Sequence, residues 1–220
     1  MVVTGIERQK RRLDRVNLYI DGCFAFGLHA EVLLKYGLRN GDEIDEQTIR
    51  AITVDEEQNL ARRYALRLLS YRMRSEQELR TRLREKEFPP GAIDGAISHL
   101  HAARLIDDRA FTRSFIHDAQ MRKPTGHRLL ERQLRQKGVS PETIGEVLAE
   151  LGVRGQEEEL ALAAARAILG RRRTTRKRVG PLREQKRIAD FLTRRGYDWS
   201  VVSSVLRTLF TRDQAPHEES

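Results

Sequence analysis

The chain has 220 residues, of which 39% are hydrophobic and only 6% aromatic, with one cysteine and with 41 Lys and Arg against 32 Asp and Glu, a formal charge of +9. That length supplies one or two ordinary domains with a buried core; the lone Cys23 excludes an internal disulfide and a cysteine-built zinc site, and no segment has the ~20 apolar residues of a membrane span or the apolar stretch of a signal peptide. Eleven basic and two acidic residues fall within 171–195, so this segment carries the whole excess and points to a polyanionic or acidic partner, in a protein expected to be cytoplasmic.

In chain order, short apolar runs at 18–20 and 24–26 flank Asp21 and Gly22, a pair suited to a tight hairpin turn. Two or three strands are predicted between residues 3 and 27, then a short helix over 30–36 and a turn at Asn40 and Gly41. An acidic stretch, 42–57, holds seven carboxylates against one Arg50. The first module, a β-hairpin unit with a short helix, is placed at 1–54.

From Leu60 the apolar period becomes helical: Leu60, Tyr64, Leu68 and Tyr71 form one stripe. Beyond it, one pattern occurs three times without gaps. Leu79, Leu83, Lys86, Phe88, Ile93, Ile97 and Leu100 recur 51 positions on as Leu130, Leu134, Lys137, Val139, Ile144, Leu148 and Leu151. A further 58 positions on they become Ile188, Leu192, Arg195, Tyr197, Val202, Leu206 and Leu209. A spacing kept three times with its apolar character marks a repeated structural unit. The fold class that follows is mainly α: tandem three-helix modules in an elongated array, placed at 60–105, 107–153 and 157–212, behind the small β-hairpin module, with a disordered tail at 213–220.

Local signals agree with the repeat. Ser75 and Glu78 have capping-box spacing, Pro89 and Pro90 stop the helix before them, and Ser140, Pro141 and Glu142 start a helix in the favoured order. Asp107 or Asp108 opens the second module, which breaks at 123–126 and turns at Gly138. The third module has a longer break, 170–181, and its basic insertion accounts for the change of period from 51 to 58. Tyr197 and Trp199 stand where the second copy has Val139 and Pro141, and are read as packing residues.

Two basic features stand out. Arg171, Arg172, Arg173, Arg176, Lys177 and Arg178 cluster in one interhelix loop, with Arg183, Lys186 and Arg187 beyond it; the bland alternative is a solvated loop without a partner. Arg128, Arg132 and Arg135 follow helical spacing on the side opposite Leu130 and Leu134, with an ordinary solvent face paired to Glu131 as the alternative. No aromatic residue interleaves with either patch in sequence, so base stacking is not supported. The residue types of His99, His101, Asp107, Asp108, His117 and Asp118 suit a divalent metal for phosphodiester cleavage, yet two histidines two apart on a helix point about 200° apart, and an N-cap accounts for Asp107 and Asp108. No nucleotide-binding loop or catalytic motif is present, and no cofactor or metal is expected. The Gly138-Val139-Ser140-Pro141-Glu142 segment between two helices is similar to a helix-turn-helix reader, but its occurrence in three copies fits architecture better.

The stretches Arg74-Ser75, Glu78-Leu79 and Leu83, then Leu105-Ile106-Asp107-Asp108-Arg109-Ala110-Phe111, Arg113 and Phe115, and then Gly126, Leu130, Leu134 and Lys137-Gly138-Val139 resemble the RecX family of RecA regulators. Residues 15–28 are similar to the strand module of its longer members, while the insertion 171–178 and Lys123-Pro124 depart from the family pattern. The resemblance implies tandem three-helix modules that bind the RecA filament along its groove and modulate, usually inhibit, its ATPase and strand exchange, within DNA repair, homologous recombination and the SOS response. It implies a monomeric, non-enzymatic regulator. Arg128, Arg132, Arg135, Lys137 and the basic residues from Arg171 to Arg187 named above are then the contacts to RecA or to its DNA. A DNA-binding architectural or transcriptional protein acting alone is the alternative, and a metal-dependent nuclease the third class.

Overall fold

The structure, a computed structural model, describes residues 1–173 and 180–210, with backbone only at 171–173. The described chain separates into two compact units, Met1–Ile106 and a second beginning at Asp107.

The first unit opens with an antiparallel sheet of β1 (Val3–Arg8), β2 (Arg15–Ile20) and β3 (Cys23–His29), paired in the order β1-β2-β3. Asp21 and Gly22 both adopt positive φ, 49° and 81°, the requirement of a two-residue turn whose twist matches its strands. On β2 Val16, Leu18 and Ile20 alternate onto the inner face and pack with Val3, Leu28, Val32, Ile44 and Ile52. Helix α1 (Ala30–Tyr36) starts at His29, whose Nδ1 accepts the Glu31 N–H, and stops at Gly37 in the left-handed region.

Helix α2 (Glu46–Tyr71) begins at Asp45, whose carboxylate accepts the Thr48 N–H at 2.7 Å. It runs for 26 residues without a break, so the sequence-predicted module end at 54 falls inside a helix. Its length has a packing reason: Ile52 belongs to the sheet core, whereas Ala61 and Ala65 belong to the next core, shared with α3 (Glu76–Arg84) and α4 (Pro90–Ala102). Of the acidic residues of 42–57, Asp45 caps this helix and Glu46 lies in its first turn, where carboxylates favour the positive end of the dipole, while Asp55, Glu56 and Glu57 lie farther along it.

The second unit contains α5 (Asp108–Arg122), α6 (His127–Gln136), α7 (Pro141–Glu150), α8 (Val153–Arg173), α9 (Pro181–Arg194) and α10 (Trp199–Phe210). The triple repeat appears in backbone detail. Phe88, Val139 and Tyr197 donate N–H to the carbonyls of Leu83, Leu134 and Leu192 at 3.3, 3.2 and 3.2 Å. The residues just before them, Glu87, Gly138 and Gly196, all take positive φ, 61°, 78° and 81°. This is the Schellman stop of a helix, repeated at the spacing read from the sequence. The next helix of each copy, α4, α7 and α10, starts two residues after the stop ends. Apolar repeat positions form separate cores in each copy. Leu151 departs from the pattern, being 37% exposed where Leu100 is fully buried.

One packing expectation is corrected. Tyr197 is buried, but Trp199 is 66% exposed. It is the first residue of α10, a position held by Pro90 and Pro141 in the other copies, both exposed, so the repeat turns this site to solvent. The insertion residues from Thr174 to Val179 and the tail expected at 213–220 lie outside the described residues.

Candidate functional site

Helix α6 carries the basic face. Leu130 and Leu134 are fully buried and turn Arg128, Arg132 and Arg135 outward, where with Glu131 and Gln136 they line an open groove of about 370 Å³. The three guanidiniums are not equivalent. Arg128 lies in the first turn, where a cation opposes the helix dipole, and its Nε is held by the Asp198 carboxylate. Arg135, in the last turn, is favourably placed and sits 3.9 Å from Glu131, which also meets Arg154 at 3.6 Å. Exposed pairs of this kind contribute about 0–1 kcal/mol. Arg132 makes no ion pair among the described residues and is exposed.

Lys137 is the C-cap of the same helix. Its ammonium lies 6.0 and 5.6 Å from the Phe111 and Phe115 ring centres, so aromatic rings do neighbour the basic helix, as internal packing partners rather than open stacking faces. On α9, Arg183 and Lys186 are exposed and Arg187 half-buried, with no ion pair among the described residues. The structure brings the three α6 arginines together in one groove and sets the α9 cations on a separate helix of the same unit. The side chains of Arg171, Arg172, Arg173, Arg176, Lys177 and Arg178 lie outside the described residues.

What holds α6 in place was missed in the sequence. Its N-cap is Gly126, which has no side chain to cap with, whereas the matching position of the first copy is Ser75, whose hydroxyl accepts the Glu78 N–H. The exposed donors of the first turn are met instead by the third copy: Gly126 N–H by the Arg195 carbonyl at 2.9 Å, Arg128 N–H by the Gly196 carbonyl at 3.2 Å, and His127 N–H by the Glu157 carboxylate. Glu157 is 2% exposed. The His127 ring is buried between acids, its Nδ1 3.0 Å from Glu157 and its Nε2 3.4 Å from Asp198. Beside it, burial and then the Glu157 charge push the Tyr197 hydroxyl up to about 12. The first unit uses the same device: the His29 N–H donates to Glu56, 6% exposed, which Arg15 meets at 2.8 Å.

Two of the candidate metal residues, Asp107 and His101, have other work. Asp107 Oδ1 accepts the N–H groups of Arg109 and Ala110 at 2.8 and 2.9 Å, as the N-cap reading expects. His101 lies 2.7 Å from Glu76, whose carboxyl is held below its ordinary value because hydrogen bonds from Arg80 and His101 outweigh its burial. Among the described residues no group of three or more His, Cys, Asp or Glu is arranged to hold a metal ion. Arg109 and Arg113 of α5 both bind Glu150 of α7, drawing its carboxyl down, with Arg113 the larger influence. No described helix is long and apolar enough to cross a membrane.

A small antiparallel sheet, a helix shared with a first three-helix core, and further copies of that core define a protein of tandem three-helix units. Residues 1–45 match the model of the regulatory protein RecX N-terminal domain, 61–100 that of the RecX first three-helix domain, and 107–148 that of its second. The chain is 33% identical to the regulatory protein RecX of Levilactobacillus brevis across 99% of its own length and 79% of the relative's, and 27% identical to that of Clostridioides difficile across 97% and 98%. A crystal structure of regulatory protein RecX superposes with a TM-score of 0.74 at 30% identity, covering 93% of this chain and 98% of that one. The chain belongs to the RecX family of regulatory proteins.

Proposed function

We propose that the protein regulates the RecA recombinase without catalysing a reaction of its own, docking as a monomer on the RecA–DNA filament in the cytoplasm and lowering its ATP hydrolysis and strand exchange. Membership of a family whose members are named regulatory proteins supports a regulatory role. The observation that carries the surface is the α6 groove, where Arg132 and Arg135 stand exposed on a helix anchored at its first turn. The α9 cations Arg183, Lys186 and Arg187, together with Lys137 and the segment 171–178, extend the positive character toward the acidic protein and the DNA of a filament. The test is DNA-dependent ATP hydrolysis by RecA with and without the protein. Inhibition is expected, and an unchanged rate at several-fold excess refutes the proposal.

A second reading, a DNA binder acting alone, is favoured by the cations without acidic partners among the described residues, Arg132, Arg183, Lys186 and Arg187. It predicts tight binding to duplex DNA without RecA and, for about five phosphate contacts, a log-log salt slope near −4.5. A gel-shift titration across salt separates the two.

A further inference from the structure

The formal neutrality of the chain outside 171–195 hides a second imbalance. Seven carboxylates within 42–57 offset a block, 60–88, with nine Lys and Arg against four Glu. Within the first unit this block builds a groove of about 550 Å³ between α2 and the turn joining α3 to α4. Leu60, Tyr64, Leu66 and Phe88 supply its apolar lining, with the Tyr64 and Phe88 ring centres 6.1 Å apart. The other lining residues are Arg63 and Arg67, and no carboxylate lines it.

The charges around it are unequal. Arg63 is bound by Asp14 at 2.6 Å, Arg72 by Glu78 and Arg82 by Glu85. The exposed Arg67 lies over the Tyr64 ring at 5.0 Å and has no ion pair among the described residues. Arg74, outside the lining, is pulled down from its ordinary value by burial and then by the positive charge of Arg72. A base-stacking role fits poorly, since the two rings of the lining are tilted against each other and form no series of open faces. An apolar floor with a positive rim and no negative lining instead complements a chain segment whose own charges are negative and whose centre is apolar.

We propose that this groove docks an acidic segment of a partner protein, an aromatic or leucine side chain of that segment resting on Leu60, Tyr64 and Phe88 while a flanking carboxylate meets Arg67. The site is independent of the regulatory proposal and is measured on the protein alone. The probe is a fluorescein-labelled synthetic peptide of Asp and Glu around a central Phe, followed by anisotropy with the full chain. Replacing that Phe by Ala is expected to weaken binding at least about thirtyfold, as for a buried anchor. Arg67→Glu is expected to weaken it about tenfold, as is Leu66→Asp, both at exposed positions and both with unchanged thermal melting. Absent binding at millimolar protein, equal binding of the Ala peptide, or an unchanged affinity for Arg67→Glu overturns the proposal. So does displacement of the peptide by oligothymidylate, or self-association of the protein that Arg67→Glu abolishes, since each assigns the groove to another occupant.

Discussion

Gly126→Ala tests the joint that seats α6. Gly126 has φ −75° and ψ 158°, a conformation alanine adopts without strain, so any cost comes from space alone. A β-carbon there would lie 2.3 Å from the Gly196 carbonyl oxygen, 2.4 Å from its carbon and 2.6 Å from the Tyr197 nitrogen. All three are backbone atoms and no rotamer change relieves them. Forcing the turn between α9 and α10 away costs about 1–3 kcal/mol as overpacking. Retreat also lengthens the bonds that satisfy the Gly126 and Arg128 N–H groups, each contributing about 1 kcal/mol. A loss of about 3 kcal/mol follows, read by urea unfolding with circular dichroism and with the emission of Trp199, the sole tryptophan, next to the joint. Gly145→Ala is the control: it is an exposed position inside α7 with nothing within 4 Å of the added carbon, and is expected to stabilise by about 0.5–1 kcal/mol through helix propensity. A Gly126→Ala protein within about 0.5 kcal/mol of the parent, the range of an ordinary surface change, would mean that the two backbones do not approach as described.

Asp107→Ala removes the acceptor for two N–H groups at the start of α5 and is expected to cost about 1–2 kcal/mol in a urea titration, with Asp107→Asn nearly neutral. Tyr197→Phe deletes a buried hydroxyl that has no hydrogen-bond partner, so at pH 7 the variant should match or exceed the parent, by up to about 1 kcal/mol. Its pH dependence has a definite sign. The phenol ionises near 10 when unfolded and at about 12 when folded, so its contribution is complete below pH 10 and is lost as pH rises toward 12; Tyr197→Phe should flatten that limb, and an identical alkaline limb in parent and variant counts against the burial described. Arg132→Glu with Arg135→Glu alters two exposed side chains of the groove. Stability should stay within about 0.5 kcal/mol while inhibition of RecA ATP hydrolysis is lost, and full retained inhibition would move the contact surface elsewhere.

Much of the architecture was legible because repetition amplifies weak signals. A single Leu-rich helix is ambiguous, but Leu83, Leu134 and Leu192, each followed five residues on by Phe88, Val139 or Tyr197 across a chain reversal, specify one turn made three times. The Asp21-Gly22 hairpin and the caps at Ser75, Asp107 and Ser140 were equally readable, since each is a local contract between neighbouring residues. The joint at α6 was not. His127 and Asp198 lie at helix starts and Glu157 in the second turn of α8, indistinguishable in sequence from surface positions, and they converge only through tertiary packing. One clue was present: the first copy has Ser75 where the second has Gly126, so the second copy lacks its own cap and has to borrow one. Trp199 does not pack as expected, because its repeat position is solvent-facing in every copy. Within the basic face, spacing located Arg128, Arg132 and Arg135 on one side of a helix but not that Asp198 already engages the first of them.

The unbroken run of α2 has a mechanical meaning. At 26 residues it is a strut of about 39 Å, planted at one end beneath the sheet and at the other inside the neighbouring helical core. No hinge separates those two footings, so a load applied to the hairpin reaches the first bundle undamped. Excising residues 1–54 would shear the strut rather than detach an appendage, leaving its surviving turns with half a foundation.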